Sequence, residues 1–105
     1  MIGIGKWKFN INTFFFKGDV YLTIEDNNGS YKFTPEFPGY DGKLVYTLEE
    51  VAEKGNSLYV RGNSTMIPAV KSVAATFFFE GDRCRFVSDL PFVGHIEVNN
   101  GEKIV

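Results

Sequence analysis

The chain carries one cysteine and one histidine, and these scarcities exclude whole classes of chemistry. With Cys84 alone no internal disulfide can form, so packing rather than covalent stapling must hold the fold. His95 stands among scattered carboxylates with no metal-ligand spacing, and no nucleophile or cofactor motif accompanies it, so no catalytic set, metal or cofactor is expected. Basic clustering is absent too. Eleven Lys and Arg against thirteen Asp and Glu leave a formal net charge of −2, contrary to a nucleic-acid footprint. Charged residues or glycines interrupt every apolar run, which argues against a membrane-spanning helix. Met1-Ile2-Gly3-Ile4-Gly5 has neither the long apolar run of a signal peptide nor a glycine at position 2 for myristoylation. The expectation is a soluble, cytoplasmic protein.

Aromatic residues are abundant: eleven Phe, five Tyr and one Trp in 105 residues. Rigid, bulky rings suit a pleated surface, so composition favours sheet. The length fits a single domain over residues 1–105. Segments 17–38 and 70–91 superimpose without a gap at an offset of 53. Val20 falls on Val73, Thr23 on Thr76, Phe33 on Phe86 and Pro38 on Pro91. Lys32 meets Arg85, Glu36 meets Asp89 and Phe37 meets Leu90. Matched apolar, basic, acidic and proline positions are the mark of a duplicated supersecondary unit.

Period-two alternation runs through most of the chain. Trp7, Phe9 and Ile11 share one face, as do Val20, Leu22 and Ile24, and Tyr31 and Phe33 continue after an Asn28-Gly29 hairpin signal. Leu44, Tyr46 and Leu48 follow. Between Thr47 and Lys54 the spacing of Leu48, Val51 and Ala52 is helical, but the segment is too short for an independent helix and is assigned to a ragged strand end. Leu58, Val60, Gly62 and Ser64 form the next face, then Val73, Ala75, Phe77 and Phe79, then Cys84 and Phe86. Pro91 opens a last strand with Phe92, Gly94, Ile96 and Val98 inward, and Asn99-Asn100-Gly101 closes it. Eight short strands with no crossover helix predict antiparallel pairing. The expected architecture is an all-β, eight-stranded antiparallel up-and-down barrel with a duplicated four-strand half; a two-sheet sandwich is the competitor.

Gly5-Lys6-Trp7 at the head of the first strand matches the Gly-x-Trp signature of the lipocalins. The whole chain resembles small bacterial lipocalin-like (calycin-type) proteins, also in Gly55-Asn56-Ser57-Leu58 and in Leu90-Pro91-Phe92-Val93-Gly94. The chain departs from secreted lipocalins in its short length and in lacking their disulfides, terminal helix and second signature motif. The resemblance implies that Trp7 plugs one end of a barrel whose interior takes a small molecule.

An eight-stranded barrel either fills with its own side chains or holds one small ligand. Large inward residues argue for filling, whereas Gly62, Ser64, Ala75, Ser88 and Gly94 in the same phase would leave space in the second half. The expected function is noncovalent binding of a small apolar or amphipathic molecule. Trp7, Phe9, Phe77 and Phe86 would supply apolar lining, and Tyr31, Tyr46, Ser64 and Ser88 the orienting hydroxyls. The alternative is an interaction module or homodimer with a filled core, because Phe14-Phe15-Phe16 and Phe77-Phe78-Phe79 must each turn a ring outward, notably Phe15 and Phe78. Cys84, inward beside Phe86, is expected to pack as a small apolar residue. His95 is expected on the outer face alongside Glu97.

Overall fold

A computed structural model describes residues 1–12, 17–36, 46–64, 72–90 and 94–104; the side chains of Tyr46, Ser64 and Leu90 fall outside that description, as do Phe15 and Phe92. Eight strands follow one another in it: β1 Gly5–Asn12, β2 Lys17–Asn27, β3 Ser30–Glu36, β4 Tyr46–Lys54, β5 Ser57–Ser64, β6 Val73–Glu80, β7 Arg83–Leu90 and β8 Gly94–Lys103. They form one antiparallel sheet in the order β3-β2-β1-β8-β7-β6-β5-β4, a nearly closed up-and-down barrel. Chain neighbours pair throughout except β3 and β4. These two strands face each other across a seam, each hydrogen-bonded on one side only among the described residues.

The duplication extends to register. Gly5 stands opposite Ile24 and Phe9 opposite Val20; moved forward by 53 these become Leu58 opposite Phe77 and Gly62 opposite Val73, both of which are present. Likewise Ile24 with Phe33 and Leu22 with Pro35 become Phe77 with Phe86 and Ala75 with Ser88. The three-stranded meander β1–β3 is therefore repeated as β5–β7. In an eight-stranded barrel a shift of four strands is half a turn about the axis. The two halves meet at β1–β8 and at β4–β5.

One end of the barrel is built from tight turns. Asn28 and Gly29 both take positive φ, 56° and 91°, the pattern of a type I′ hairpin, and Asp26 accepts a hydrogen bond from the Gly29 N–H at 2.8 Å. At the other two hairpins on this end only the first turn residue, Gly55 or Gly81, has positive φ. Residues 1–4 lie across the same end. There the Trp7 indole N–H donates to the Gly3 carbonyl at 2.8 Å, and the Ile2 N–H donates to the Tyr31 hydroxyl at 2.8 Å. A Cβ at Gly3, whose φ is +73°, would stand 2.4 Å from the Phe79 ring, so the strap needs glycine there.

Two β-bulges revise the expected strand phases. In β4 the register shifts between Leu48 and Glu50, making Glu49 an extra residue. Leu48 and Val51, three apart, consequently both pack on the core. Their helix-like spacing is the trace of a bulged strand. In β8, Cys84 faces Gly101 while Phe86 faces Val98, so Asn99 and Asn100 together oppose Arg85. Asn99-Asn100-Gly101 does not close the sequence as a turn; it bulges inside a strand that continues to Lys103. The bulge turns Asn100 toward β1, where its side-chain amide donates to the Asn10 carbonyl at 2.9 Å and accepts from the Asn10 N–H at 3.0 Å. Beyond these bonds β1 and β8 pair at Trp7–Lys103 and Lys8–Glu102, and the Ile104 N–H reaches the Lys6 carbonyl.

Candidate functional site

The interior is a connected set of aromatic rings. Trp7 lies 5.0 Å from Phe79 between ring centres, Phe9 meets Phe86 edge-on at 5.1 Å, and Phe77 bridges Phe79 at 6.3 Å and Phe86 at 5.5 Å. Such edge-to-face and offset arrangements are the favourable ones for aromatic quadrupoles. Burial along this interior is graded. Near the capped end Trp7, Ile24, Leu58 and Cys84 are fully enclosed, with Leu58 at 0 % exposure. Two to four residues further along β1, β5, β6, β7 and β8, Ile11, Val60, Phe77, Phe86 and Ile96 point inward but are only partly buried. Gly94, at the start of β8, is exposed. In β1, β5, β6 and β8 enclosure thus weakens away from the cap, whereas in β7 Ser88, beyond Phe86, is buried again.

The structure brings some expected ligand-binding residues together and separates others. Phe77 and Phe86 share the less enclosed part of the interior, next to Phe9. Trp7 instead lies in the capped end, under the strap, where it is 2 % exposed. Ser88 is buried, and its hydroxyl donates to the Ala74 carbonyl at 2.6 Å. Tyr46 and Ser64 face one another across the β4–β5 ladder, but their side chains lie outside the described residues. The smallness of Gly62 has a purpose other than leaving interior space: a Cβ there would come within 2.7 Å of the Thr47 carbonyl. Gly101 is also needed for close approach, since a Cβ would meet the Phe9 ring at 2.4 Å and the Cys84 carbonyl at 2.5 Å. Cys84 itself is buried in the core, and burial pushes its thiol up to about 12.

Tyr31 occupies a different setting from the other expected hydroxyls. Its ring stacks on Phe33 at 5.7 Å, but its hydroxyl reaches the seam and hydrogen-bonds to Glu53 of β4. Loss of solvent, then the hydrogen bond to Glu53, raise the phenol above its ordinary pKa. The N-terminal ammonium lies 3.9 Å from the same carboxylate. Alongside runs an open groove of about 560 Å³, lined by Gly29, Ser30 and Tyr31 on one side and by Leu48, Glu49, Glu50, Val51 and Glu53 on the other. The sequence pattern placed neither Glu53 nor the Leu48–Val51 pair in a site. Their signal was there in the broken period of β4, which looked helical because one residue is bulged.

The outer face is a network of charge pairs. Lys6 meets Glu36 at 3.3 Å and Arg85 meets Glu97 at 3.4 Å, while their cationic groups also lie over the rings of Tyr21 and Phe78. Arg61 contacts Glu49 and Glu50, and Arg83 contacts Glu102. Pairing with carboxylates leaves these basic groups poorly arranged to follow a phosphate backbone. His95 is exposed between Asp89 at 2.9 Å and Glu97 at 3.9 Å. Among the described residues no group of three His, Cys, Asp or Glu converges as a metal site, and no helix is long and apolar enough to cross a membrane.

The fold and its lining define an antiparallel β-barrel with a capped end, an incompletely enclosed aromatic interior and a seam between two strands. No protein-family model, curated protein or solved structure matches the chain.

Proposed function

We propose that the protein binds a small apolar or amphipathic molecule noncovalently within the barrel, in the manner implied by its resemblance to small lipocalin-like proteins. The observation that carries this reading is the gradient of enclosure. Four strands, β1, β5, β6 and β8, present inward apolar side chains that are buried at the cap and partly open further along, with Phe77 at the transition and Phe86 of β7 packed against it. A cleft with apolar walls and few polar groups gains affinity from apolar area removed from water, on the order of 25 cal/mol per Å² before the costs of association. Ser88, next to Phe86 in inward phase, keeps acceptor capacity after donating to Ala74 and would orient a donor on the ligand. The alternative, a filled core with outward phenylalanines as a dimer contact, has less support: the Phe78 ring lies 4.4 Å from the Arg85 guanidinium, which covers it.

The test is a titration with the neutral fluorescent probe N-phenyl-1-naphthylamine, followed by competition with decanol. Saturable enhancement at one probe per chain, lost in Phe86→Asp with thermal unfolding still cooperative, is the expected result. Folded protein that gives no saturable enhancement removes this reading. Sedimentation of the wild type at two concentrations then tests the dimer alternative directly.

A further inference from the structure

Inward positions of β1–β3 have counterparts 53 residues on, and the two sets differ in enclosure. Trp7, Phe9, Val20, Leu22, Ile24 and Phe33 are all buried. Val60, Gly62, Val73, Ala75, Phe77 and Phe86, which replace them in β5–β7, are all partly open. At two of these places the residue is unchanged, valine at Val20 and Val73 and phenylalanine at Phe33 and Phe86. Residue type therefore does not account for the opening there, and the neighbours must. Trp7 stands opposite Leu22 in the β1–β2 ladder, and Val60 stands opposite Ala75 at the equivalent place in β5–β6. An indole and an isobutyl group on one wall answer to an isopropyl and a methyl on the other. Gly62 takes the place of a further ring, that of Phe9, because the Thr47 carbonyl leaves no room for a Cβ. The β5–β7 wall is thus hollowed where the β1–β3 wall is filled. Val73 and Phe86 stay partly open, so side chains from across the barrel do not make up the loss.

We infer that the ligand lies in this hollow, against Val60 and Ala75 and beside the rings of Phe77 and Phe86, and that it is an uncharged, flat ring compound. This deepens the proposed function and rests on it, naming the wall and the ligand class. Rings decide the shape. Phe77 stands where the first half has Ile24, so the hollow borders on two partly open rings, 5.5 Å apart and tilted by 43°. A flat aromatic guest can meet them in the offset and edge-on arrangements that aromatic quadrupoles favour, which a puckered saturated one cannot. The lining decides the charge. Among the described residues the inward phase of β5–β7 holds no Asp, Glu, Lys, Arg or His, since Arg61, Arg85 and Asp89 fall in the outward phase. The polar side chains described there are Ser88, whose hydroxyl is bonded to the Ala74 carbonyl, and Cys84, buried in the core. An ionised group would leave water in the hollow without meeting a counter-charge.

Calorimetric titration of the full chain at neutral pH with 2-naphthol, its saturated analogue decahydro-2-naphthol, and 2-naphthoate tests this. 2-Naphthol is expected to bind tightest, roughly fivefold ahead of the saturated alcohol, the scale of one aromatic pair. The anion 2-naphthoate is expected to bind weakest, roughly tenfold or more behind 2-naphthol. Ala75→Leu gives the second half the residue of the first and is expected to weaken 2-naphthol roughly tenfold by filling the hollow. Ala74→Leu adds the same bulk in the outward phase and is expected to change nothing. Nuclear Overhauser contacts in the wild type locate the ligand without any substitution, which keeps the test decisive if Ala75→Leu does not fold. They are expected to run from the naphthol ring most strongly to the methyls of Ala75 and Val60. Contacts strongest at Val20 and Leu22, or equal effects of the two alanine substitutions, overturn the placement. Equal or tighter binding of the saturated alcohol overturns the flat ring, and equal or tighter binding of 2-naphthoate overturns the absence of charge. Saturable naphthylamine enhancement without 2-naphthol binding overturns this inference and leaves the proposed function standing. Wild-type protein that takes up neither the naphthylamine nor 2-naphthol overturns both.

Discussion

Moved forward by 53 residues, β1–β3 falls on β5–β7 register for register, yet the fourth strands behave differently. In the second half β8 pairs with β7 from Glu102 opposite Arg83 to Gly94 opposite Leu90. In the first half β4 pairs with β5 alone among the described residues, leaving the seam beside β3. Two sequence differences account for the contrast. Pro35 of β3 corresponds to Ser88 of β7, and proline, which has no N–H to give, is tolerated in a strand at the edge of a sheet. Between β3 and β4 lie residues 37–45, whereas residues 91–93 alone join β7 to β8. A short connection holds consecutive strands side by side, and a longer one relaxes that constraint. Duplication supplied two equivalent walls, and these changes left one of them open.

The largest way to disturb the closed half is to remove its packing. Phe9 is 2 % exposed and sits against Phe86 and the bare face of Gly101, so Phe9→Ala is expected to cost about 3–5 kcal/mol, read as a lower urea midpoint. If the loss is under about 1 kcal/mol, the joint of β1 with β8 is not packed as described. Exchanging the residues that distinguish the halves sharpens the comparison further. Ser88→Pro removes an N–H from a strand with neighbours on both sides, together with the hydroxyl bond to Ala74, and is expected to cost about 3 kcal/mol. Pro35→Ser, on the one-sided strand, is expected to stay within about 1 kcal/mol. Similar losses from both would mean that β3 is not an edge.

The same comparison separates what the sequence disclosed from what it hid. Alternation at Trp7-Phe9-Ile11 and Val20-Leu22-Ile24, the Asn28-Gly29 turn and the offset of 53 were enough for strand number, antiparallel order and duplication, because each is a local signal with one geometric meaning. The inward placement of Cys84 and the exposed His95 followed from the same phase. The bulges at Glu49 and at Asn99-Asn100 were not legible. A one-residue slip breaks period two and imitates a helix or a turn until the partner strand is known. The seam was hidden for a related reason: nothing local in Tyr31 or Glu53 says that they meet, since their contact depends on which two strands fail to pair. Pro35 is the available signal, since a proline within a strand marks an edge.

Equivalent positions also respond differently to pH. Tyr31 moved by 53 is Cys84, and both are held above their ordinary pKa, the thiol rising from 9.0 to about 12 through burial. For a group whose folded value is raised, the neutral form is the one favoured by folding. Its stabilisation is complete below the unfolded value and is lost as pH climbs toward the folded value. Stability should therefore fall as pH rises above 9.0, by about 2 kcal/mol between pH 9 and 11 from Cys84 alone. Urea midpoints across that range should flatten in Cys84→Ala. Tyr31→Phe should remove a smaller part, confined to pH above 10.0. A wild-type profile that is already flat would show the thiol to be open to solvent.

The smallest expected effect lies at the two joints between the halves, which are themselves equivalent. Moving Asn10 forward by 53 gives Asn63 and moving Asn100 back gives Thr47, and Thr47 stands opposite Asn63 in the β4–β5 ladder. At the β1–β8 joint the corresponding backbone pair is displaced by the bulge, and the Asn100 amide takes its place with one donated and one accepted bond to Asn10. Asn100→Ala removes both bonds at an exposed site where water can partly replace them, so the expected cost is about 1 kcal/mol. Hydrogen exchange gives the sharper readout: the Asn10 amide should lose protection while the Phe79 amide, bonded at 2.9 Å to the Asn56 carbonyl of the β4–β5 turn, keeps its own. Unchanged protection at Asn10 would mean that the backbone of β8 closes the joint unaided, and the two joints would then be alike in mechanism as well as in position.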